Sequence, residues 1–201
     1  ERAYGNGRGT TAAAPSMRYA IGSVSKQFTA TAILLLAEDG KLSLTDPVAK
    51  WFPQLTRAQD ITIGQLLSMT SGYQDYWPQD YVFPDMQRPA SAQAIMERWA
   101  GAGKPLDFDP GTKWQYSNTN YVIAAAVVER VAGMPFMDFL RQRIFAPLQL
   151  TSVADFDAGP LQDRDAGAYL RNALGPLRGA STGWNACQIG EPDLLWSAVA
   201  R

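Results

Sequence analysis

The feature that most constrains the fold is an uncharged, strongly apolar run between Lys26 and Glu38, which includes Ile33 and the three leucines that follow it. Gly40 lies just beyond the run, at a place where a glycine commonly ends a helix. The pattern predicts a helix over about residues 24–38. Because the run is apolar on nearly every side, we expect this helix to be central and buried.

A hydroxyl and an amine stand at the head of this run, at Ser23 and Lys26. Side chains three residues apart lie on the same face of a helix, so the lysine nitrogen can reach the serine oxygen. The chain has no histidine, and serine chemistry would therefore need another base. Partial burial and the positive end of a helix both favour a neutral, basic lysine amine. The alternative is an ordinary exposed turn, since S-x-x-K is a common tetrapeptide.

Composition excludes several classes of function. Apolar residues make up 46% and charged residues 18% of the 201 residues, which suits one large domain or two small ones with a buried core. A net charge of −1 gives no basic surface for nucleic acid or anionic lipid. With no histidine and only Cys187, neither an internal disulfide nor a zinc site is expected, and no acidic cluster indicates another metal. We therefore predict no cofactor and no membrane span, and the oligomeric state stays open.

Caps and breaks predict further elements along the chain, mostly helices as far as residue 146 and weaker signals beyond Leu150. The predicted elements are a short strand over 17–21, helices over 63–69 (capped by Thr62), 92–102 (capped by Ser91), 120–132 (ended by Gly133) and 135–145, a strand at Tyr169-Leu170, and a last helix over 194–200 capped by Asp193.

An aromatic segment with three prolines occupies residues 73–90. The prolines rule out a long helix, so we expect a loop. One alternative is a packed surface loop. The other, favoured because five aromatic rings stand together, is a wall that contacts a ligand. The rings belong to Tyr73, Tyr76, Trp77, Tyr81 and Phe83.

A second group of polar residues with chemical potential is Tyr116-Ser117-Asn118. A phenol is a poor base at neutral pH unless a nearby cation lowers its pKa, and Lys26 would supply that charge if the fold brought Tyr116 to Ser23. Asn118 could then point its amide into the same space and hold the lysine and a substrate carbonyl. The alternative is that Tyr116 packs in a turn and Asn118 caps the helix after it.

These segments together carry a family resemblance. Ser23-Val24-Ser25-Lys26 resembles the first motif of the serine β-lactamase and penicillin-binding-protein superfamily, and Tyr116-Ser117-Asn118 resembles the second. The Y-x-N form points to the branch of class C β-lactamases, D-alanyl-D-alanine carboxypeptidases and related esterases. The segment Leu66-Leu67-Ser68-Met69-Thr70-Ser71-Gly72 is similar to that branch's L-L-x-H-T-S-G, with Met69 where histidine is common. The resemblance covers about residues 17–150.

The resemblance implies an α+β fold of the β-lactamase/transpeptidase-like type, here mostly the helical domain with an incomplete antiparallel sheet domain. Residues 1–22 would be a remnant of the sheet domain leading into the nucleophile helix, residues 23–150 a mainly helical domain carrying both motifs, and residues 151–201 an incomplete sheet-domain segment with an atypical tail. We expect a truncated member, because the chain is too short for the strands that the family carries before the first motif and after the helical region. The opening at Glu1 without Met would fit a mature product or a fragment. A periplasmic or secreted location would fit the family.

The resemblance also implies acyl transfer. Ser23 would attack a carbonyl to form an acyl-enzyme, Lys26 and Tyr116 would share the proton transfers, and Asn118 would position the substrate. The Ser23 backbone N–H would be one oxyanion donor, a contribution of roughly 3 kcal/mol in the transition state. The expected partner is a small ester, a β-lactam or a D-Ala-D-Ala-type peptide.

The third family motif, K-T-G or a variant on an inner strand, is not found. Trp99-Ala100-Gly101 falls in a predicted helix, and Ser181-Thr182-Gly183 lacks the cation and comes too early. The stretch 179–183 also matches the G-x-S-x-G nucleophile elbow, but without a histidine or flanking strand and helix we interpret it as a glycine loop. Two hypotheses follow: a serine hydrolase, or a truncated, degenerate member that binds a ligand or partner without turnover.

Overall fold

A computed structural model describes residues 2–19, 21–77, 90–155 and 163–166, and the backbone of 169–170 and 185–186. Two short antiparallel pairs of strands flank a set of packed helices. The elements, in chain order, are β1 (Asn6–Arg8), β2 (Thr11–Ala12), a 3-10 turn (Gly22–Ser25), α1 (Lys26–Glu38), a 3-10 turn (Val48–Lys50), α2 (Ile63–Leu67), α3 (Ala92–Ala100), α4 (Asn118–Ala132), α5 (Phe136–Leu140) with a π turn (Arg141–Phe145), β3 (Tyr169–Leu170) and β4 (Asn185–Ala186).

The strands form two hairpin-like pairs. In the first, Asn6 faces Ala12 and Arg8 faces Thr11. In the second, Tyr169 pairs with Ala186, so the predicted strand at Tyr169-Leu170 is confirmed. Antiparallel strands beside a helical layer are the α+β arrangement that the sequence predicted. The three-part division of the chain at residues 22 and 150 stays a prediction.

The strand predicted over residues 17–21 is reduced to a single bridge. Only Arg18 pairs, with Asp165, through backbone bonds on either side of that residue. The side chains add an ion pair, in which Arg18 Nε donates to Asp165 Oδ1 at 2.6 Å. This bridge joins the segment before Ser23 to a segment near the far end of the described chain.

Among the described helices, α4 has the longest continuous buried stretch, because every residue from 118 to 128 is buried. Helix α4 packs against α1, α2, α3 and α5, which explains why it lacks an exposed face over most of its length. The expectation that the helix over 24–38 is buried on all sides is wrong. One face of α1, with Ala32, Ile33 and Leu36, lies in the core, while Leu34 is half-exposed.

Local signals in the sequence predict the starts of α2 and α3 and the ends of α1 and α4 correctly. Helix α3 ends two residues earlier than predicted, and α4 begins two residues earlier. Thr62 and Gln65 form the reciprocal capping box of α2, and Ser91 accepts the N–H of Ala94 at the start of α3. Helix α2 ends at Leu67, two residues earlier than predicted, because Met69 adopts a left-handed backbone with φ +61°. The last predicted helix, over 194–200, lies outside the described residues.

Two members of the aromatic segment correct the prediction of a ligand wall. Tyr73 and Tyr76 belong to the hydrophobic core, with 2% and 9% of their surfaces exposed. The Tyr73 hydroxyl donates to the carbonyl of Thr56 at 2.9 Å. These rings therefore stabilise the fold and do not face solvent. Tyr81 and Phe83 lie outside the described residues.

Candidate active site

Ser23 lies in a 3-10 turn that leads directly into α1, whose first residue is Lys26. Gly22 makes the turn with φ +58°, a left-handed conformation that glycine adopts without a Cβ penalty. This geometry brings Lys26 Nζ to 3.2 Å from Ser23 Oγ, so the predicted pairing of hydroxyl and amine is present.

Tyr116 reaches the same point from the loop before α4. Its Oη lies 2.5 Å from Ser23 Oγ and 2.6 Å from Lys26 Nζ, which closes a triangle of three polar atoms. Backbone hydrogen bonds hold this loop against the segment after α2. The N–H of Gln115 donates to the carbonyl of Met69 at 3.1 Å, and the N–H of Gly111 donates to the carbonyl of Thr70 at 2.8 Å. Tyr116 is thus positioned by the segment in which Met69 replaces the expected histidine.

Asn118 completes the group of four residues predicted from the sequence. Its Oδ1 accepts from Lys26 Nζ at 2.7 Å and from Tyr116 Oη at 3.2 Å. The alternative in which Asn118 caps α4 is wrong, because Ser117 occupies the cap position and Asn118 is the first helical residue. Asn118 therefore directs its side chain into the site.

Asp75 is a site residue that sequence reasoning missed. Its Oδ1 accepts the backbone N–H of Asn118 at 2.9 Å, and its Oδ2 accepts Asn118 Nδ2 at 3.2 Å. The carboxylate also stands at the positive end of α4, where a negative charge is favourable. The one available signal was an acidic residue in the aromatic segment after Ser71-Gly72, and nothing in the sequence links position 75 to position 118.

Lys26 is buried, with 7% of its surface exposed. Burial lowers the pKa of Lys26 to about 8, while the negative charge of Asp75 acts in the opposite direction. The rings of Tyr116 and Tyr121 lie 4.8 Å and 5.6 Å from Nζ. The predicted shift toward a neutral amine is confirmed in direction, and burial is its cause.

The prediction that a neighbouring cation lowers the pKa of Tyr116 is wrong. Burial raises the pKa of the Tyr116 phenol. The hydrogen bond with Ser23 lowers it by less than burial raises it, and the charge of Asp75 adds a smaller rise. Tyr116 is therefore a neutral phenol at neutral pH. Of the groups in the triangle, Lys26 is the one able to change protonation near pH 8.

Exposed apolar side chains stand next to the site residues in the chain. Val24 follows Ser23 and is 57% exposed, and Trp114, two residues before Tyr116, is 67% exposed. Trp99 and Ala100 lie in α3, as predicted, while residues 179–183 lie outside the described residues. Across the described ranges, none of the helices is long and apolar enough to cross a membrane, and no group of metal-binding side chains comes together.

Comparison with known proteins identifies the family. The sequence model of the Beta-lactamase family matches residues 1–188. Penicillin-binding protein 4* of Bacillus subtilis is 38% identical over 129 residues, which are 64% of this chain and 28% of that protein.

Solved structures show the same fold. The D-amino acid amidase of Ochrobactrum anthropi SV3, complexed with D-phenylalanine, superposes with a TM-score of 0.79 at 28% identity, over 94% of this chain and 54% of that one. The D-stereospecific amidohydrolase of Streptomyces sp. gives 0.66 at 34% identity, over 75% of this chain and 48% of that one. The chain spans about half the length of these structures. The chain belongs to the Beta-lactamase family, within the serine β-lactamase and penicillin-binding-protein superfamily, and has its β-lactamase/transpeptidase-like fold.

Proposed function

We propose that this chain is a serine hydrolase that works through an acyl-enzyme, with Ser23 as the nucleophile. The observation that carries the proposal is the triangle of Ser23 Oγ, Tyr116 Oη and Lys26 Nζ, whose sides are 2.5, 2.6 and 3.2 Å. A serine hydroxyl needs an adjacent base to become a nucleophile, and a buried lysine amine is one way to supply it. The proposal makes Lys26 and Tyr116 catalytic and Asn118 substrate-binding.

The shortest proton path runs through the phenol. Ser23 gives its proton to Tyr116 Oη while Tyr116 gives its own proton to the lone pair of neutral Lys26. The serine oxygen bonds to the substrate carbonyl carbon, and the electron pair of the C=O bond moves to oxygen. A neutral amine keeps N–H donors for Asn118 Oδ1, at 2.7 Å, while it accepts from Tyr116. Direct transfer from Ser23 to Lys26 would span the longer 3.2 Å side.

The same groups serve the second half of acylation. As the tetrahedral intermediate collapses, the C=O bond reforms and the bond to the leaving group breaks. Lys26 returns its proton through Tyr116 to the leaving nitrogen or oxygen. Water then attacks the acyl-enzyme, giving a proton along the same path, and Ser23 leaves with a proton restored. In this proposal the Ser23 backbone N–H stabilises the oxyanion, a contribution of about 3 kcal/mol.

The proposed substrates are amides and β-lactams, with simple esters as activated probes. The D-amino acid amidase and the D-stereospecific amidohydrolase motivate an amide of a D-amino acid as the first substrate to test. Trp114 and Val24, which are exposed and neighbour the site residues in the chain, suit an apolar acyl group. In this proposal they contact the acyl group in place of Tyr73 and Tyr76 of the aromatic segment.

Steady-state hydrolysis tests the proposal with nitrocefin, p-nitrophenyl butyrate and D-phenylalanine p-nitroanilide. We expect turnover of at least one of them, with a loss of about 10³-fold or more in kcat for Ser23→Ala. Ser152→Ala, which removes an exposed hydroxyl in the segment after α5 and its π turn, is the matched control and should retain full activity. Folded wild-type protein without turnover would overturn the proposal and favour the alternative of a member that binds ligand without catalysis.

A further inference from the structure

Asp75 contacts Asn118 at both its backbone and its side chain. Oδ1 accepts the backbone N–H at 2.9 Å and Oδ2 accepts the amide Nδ2 at 3.2 Å. An ionised carboxylate has no proton to donate, so it can face only the NH₂ end of the amide. The oxygen end must then point the other way, and there it accepts from Lys26 and Tyr116.

A reversed amide would be unfavourable at both ends. Its oxygen would meet the carboxylate of Asp75, and its NH₂ group would meet Lys26 Nζ, which is a donor when protonated and, when neutral, has a single lone pair that accepts from Tyr116. Buried polar groups without a complementary partner cost about 1–3 kcal/mol each. The single carboxylate therefore determines which end of Asn118 faces the nucleophile.

The position of Asp75 is itself fixed by α4. Thr119 Oγ1 donates to the carbonyl of Gln74 at 2.7 Å and accepts the N–H of Tyr76 at 3.1 Å, so both neighbours of Asp75 are bound to one residue of the first turn. Ser71 Oγ donates to Asn120 Oδ1 at 2.5 Å. The segment from residue 71 to residue 77 thus follows the start of α4 closely.

We propose that Asp75 is a positioning residue, which orients the Asn118 amide so that its oxygen holds Lys26 Nζ against Ser23 and Tyr116. Its importance for catalysis depends on the proposed function. The orientation and the charge of Asp75 can be tested independently, because both act on Lys26 whether or not substrate turns over.

Asp75 also contributes a charge to the surroundings of Lys26. The described groups that face Nζ are Ser23, Tyr116, Asn118 and the ring of Tyr121, and none of these is a carboxylate. The charge of Asp75 raises the pKa of Lys26 against the dominant effect of burial. Removing that charge should let burial lower the pKa further, and moving the charge to position 118 should raise it.

Two variants separate orientation from charge. In Asp75→Asn, the new side-chain oxygen accepts the backbone N–H of Asn118, and the new NH₂ group then faces Asn118 Nδ2. Two donors meet there, so the contact that orients the Asn118 amide is lost. The exchange D75N/N118D restores a donor opposite an acceptor and keeps the net charge, but places the carboxylate beside Lys26. Because the exchange restores the donor–acceptor pair between the side chains of residues 75 and 118, it should fold even if the single variant does not. The matched control is Asp107→Asn, which removes an exposed carboxylate bound to Gln74 and Gln115 without touching Asn118.

The test is an NMR titration of protein labelled with ¹³C at lysine Cε, with the Lys26 signal assigned from Lys26→Arg. We expect the Lys26 midpoint to move to lower pH in D75N, to higher pH in D75N/N118D, and to stay unchanged in D107N. In kinetics, D75N should lower kcat by about 10–100-fold, the range known for hydrogen-bond partners that orient metal ligands. The pH at which deprotonation of Lys26 raises the activity should also move to a lower value.

An unchanged Lys26 midpoint in the folded exchange variant would overturn the inference, as would wild-type kcat and pH profile in D75N. That second result leaves the proposed function intact if Ser23→Ala is inactive. If wild-type protein shows no turnover while both midpoints move as expected, the proposed function fails and the positioning role of Asp75 stands. A lower free energy of unfolding in D75N, with the Lys26 midpoint unchanged in both variants, would indicate that Asp75 has a structural role only.

Discussion

The nitrogen of Lys26 lies among three polar side chains, those of Ser23, Tyr116 and Asn118, and only 7% of the surface of Lys26 is exposed. Its pKa, lowered to about 8 by burial, sets the pH range in which it can accept a proton. Below that value the amine is protonated and cannot take the proton of Ser23 through Tyr116. Tyr116, whose pKa is raised, stays neutral over the same range.

We therefore predict that kcat/KM rises with pH through about 8 and then levels off, because the neutral amine of the free enzyme is the active form. The measurement is a pH profile for a neutral ester substrate between pH 6 and 10. A profile that is flat through pH 8, or one that falls, would contradict the role of Lys26 as the base. Ser152→Ala should give the same profile as wild type.

For individual residues, the sequence predicted which side chains meet better than it predicted their pKa values. The pairing of Ser23 with Lys26 follows from helical periodicity, and Tyr116 and Asn118 follow from a motif. The pKa of Tyr116 moves against expectation because burial, which depends on packing by distant residues, outweighs any local cation. Asp75 could not be identified, since its contact with Asn118 exists only after a loop and a helix start have packed together.

Among the elements, α4 links the core to the site. Its first turn holds Asn118, and the next ten residues are buried among the other helices. The sequence favoured α1 as the fully buried helix because its run, with Ile33 and the three leucines, is apolar on nearly every side. Burial is decided by the number of neighbours, and α4 has a helix on several sides while α1 keeps one face in solvent.

The segment that carries Asp75 begins at Gly72, which has φ +85° and lies directly against the carbonyl of Phe108. A Cβ at this position would overlap that oxygen, so Gly72→Ala adds a steric clash to the cost of a left-handed alanine. The left-handed conformation alone costs about 1–2 kcal/mol, and an overlap in a packed region adds about 1–3 kcal/mol. We predict that Gly72→Ala lowers the free energy of unfolding clearly more than the same substitution at a glycine with a similar φ in open space.

Gly103 provides that comparison, with φ +79° and no atom within 4 Å of a built Cβ. Urea denaturation of both variants measures the two free energies of unfolding, with equal m-values required for the comparison. Equal losses for Gly72→Ala and Gly103→Ala would show that the approach to Phe108 carries no cost, and would contradict the packing described for this segment.

For the whole molecule, the described part is a helical core with two short pairs of strands, and the chain spans about half the length of the solved relatives it matches. The fold class was predictable because the order and spacing of two motifs resemble those of a known family, and the fold came with that resemblance. The number and pairing of the strands were not, because the strands are two or three residues long and have little period of their own. The third motif expected for the family was not found in the sequence, so the central question is whether this chain alone can activate Ser23.

Covalent labelling answers that question most directly. The folded protein is incubated with a fluorophosphonate, and separately with a labelled penicillin, and the adduct is located by mass spectrometry of the digested chain. We expect one adduct, on Ser23, that forms faster above pH 8 than below it and is absent from Ser23→Ala. Labelling at another residue, or equal labelling of Ser23→Ala, would show that Ser23 is not the nucleophile.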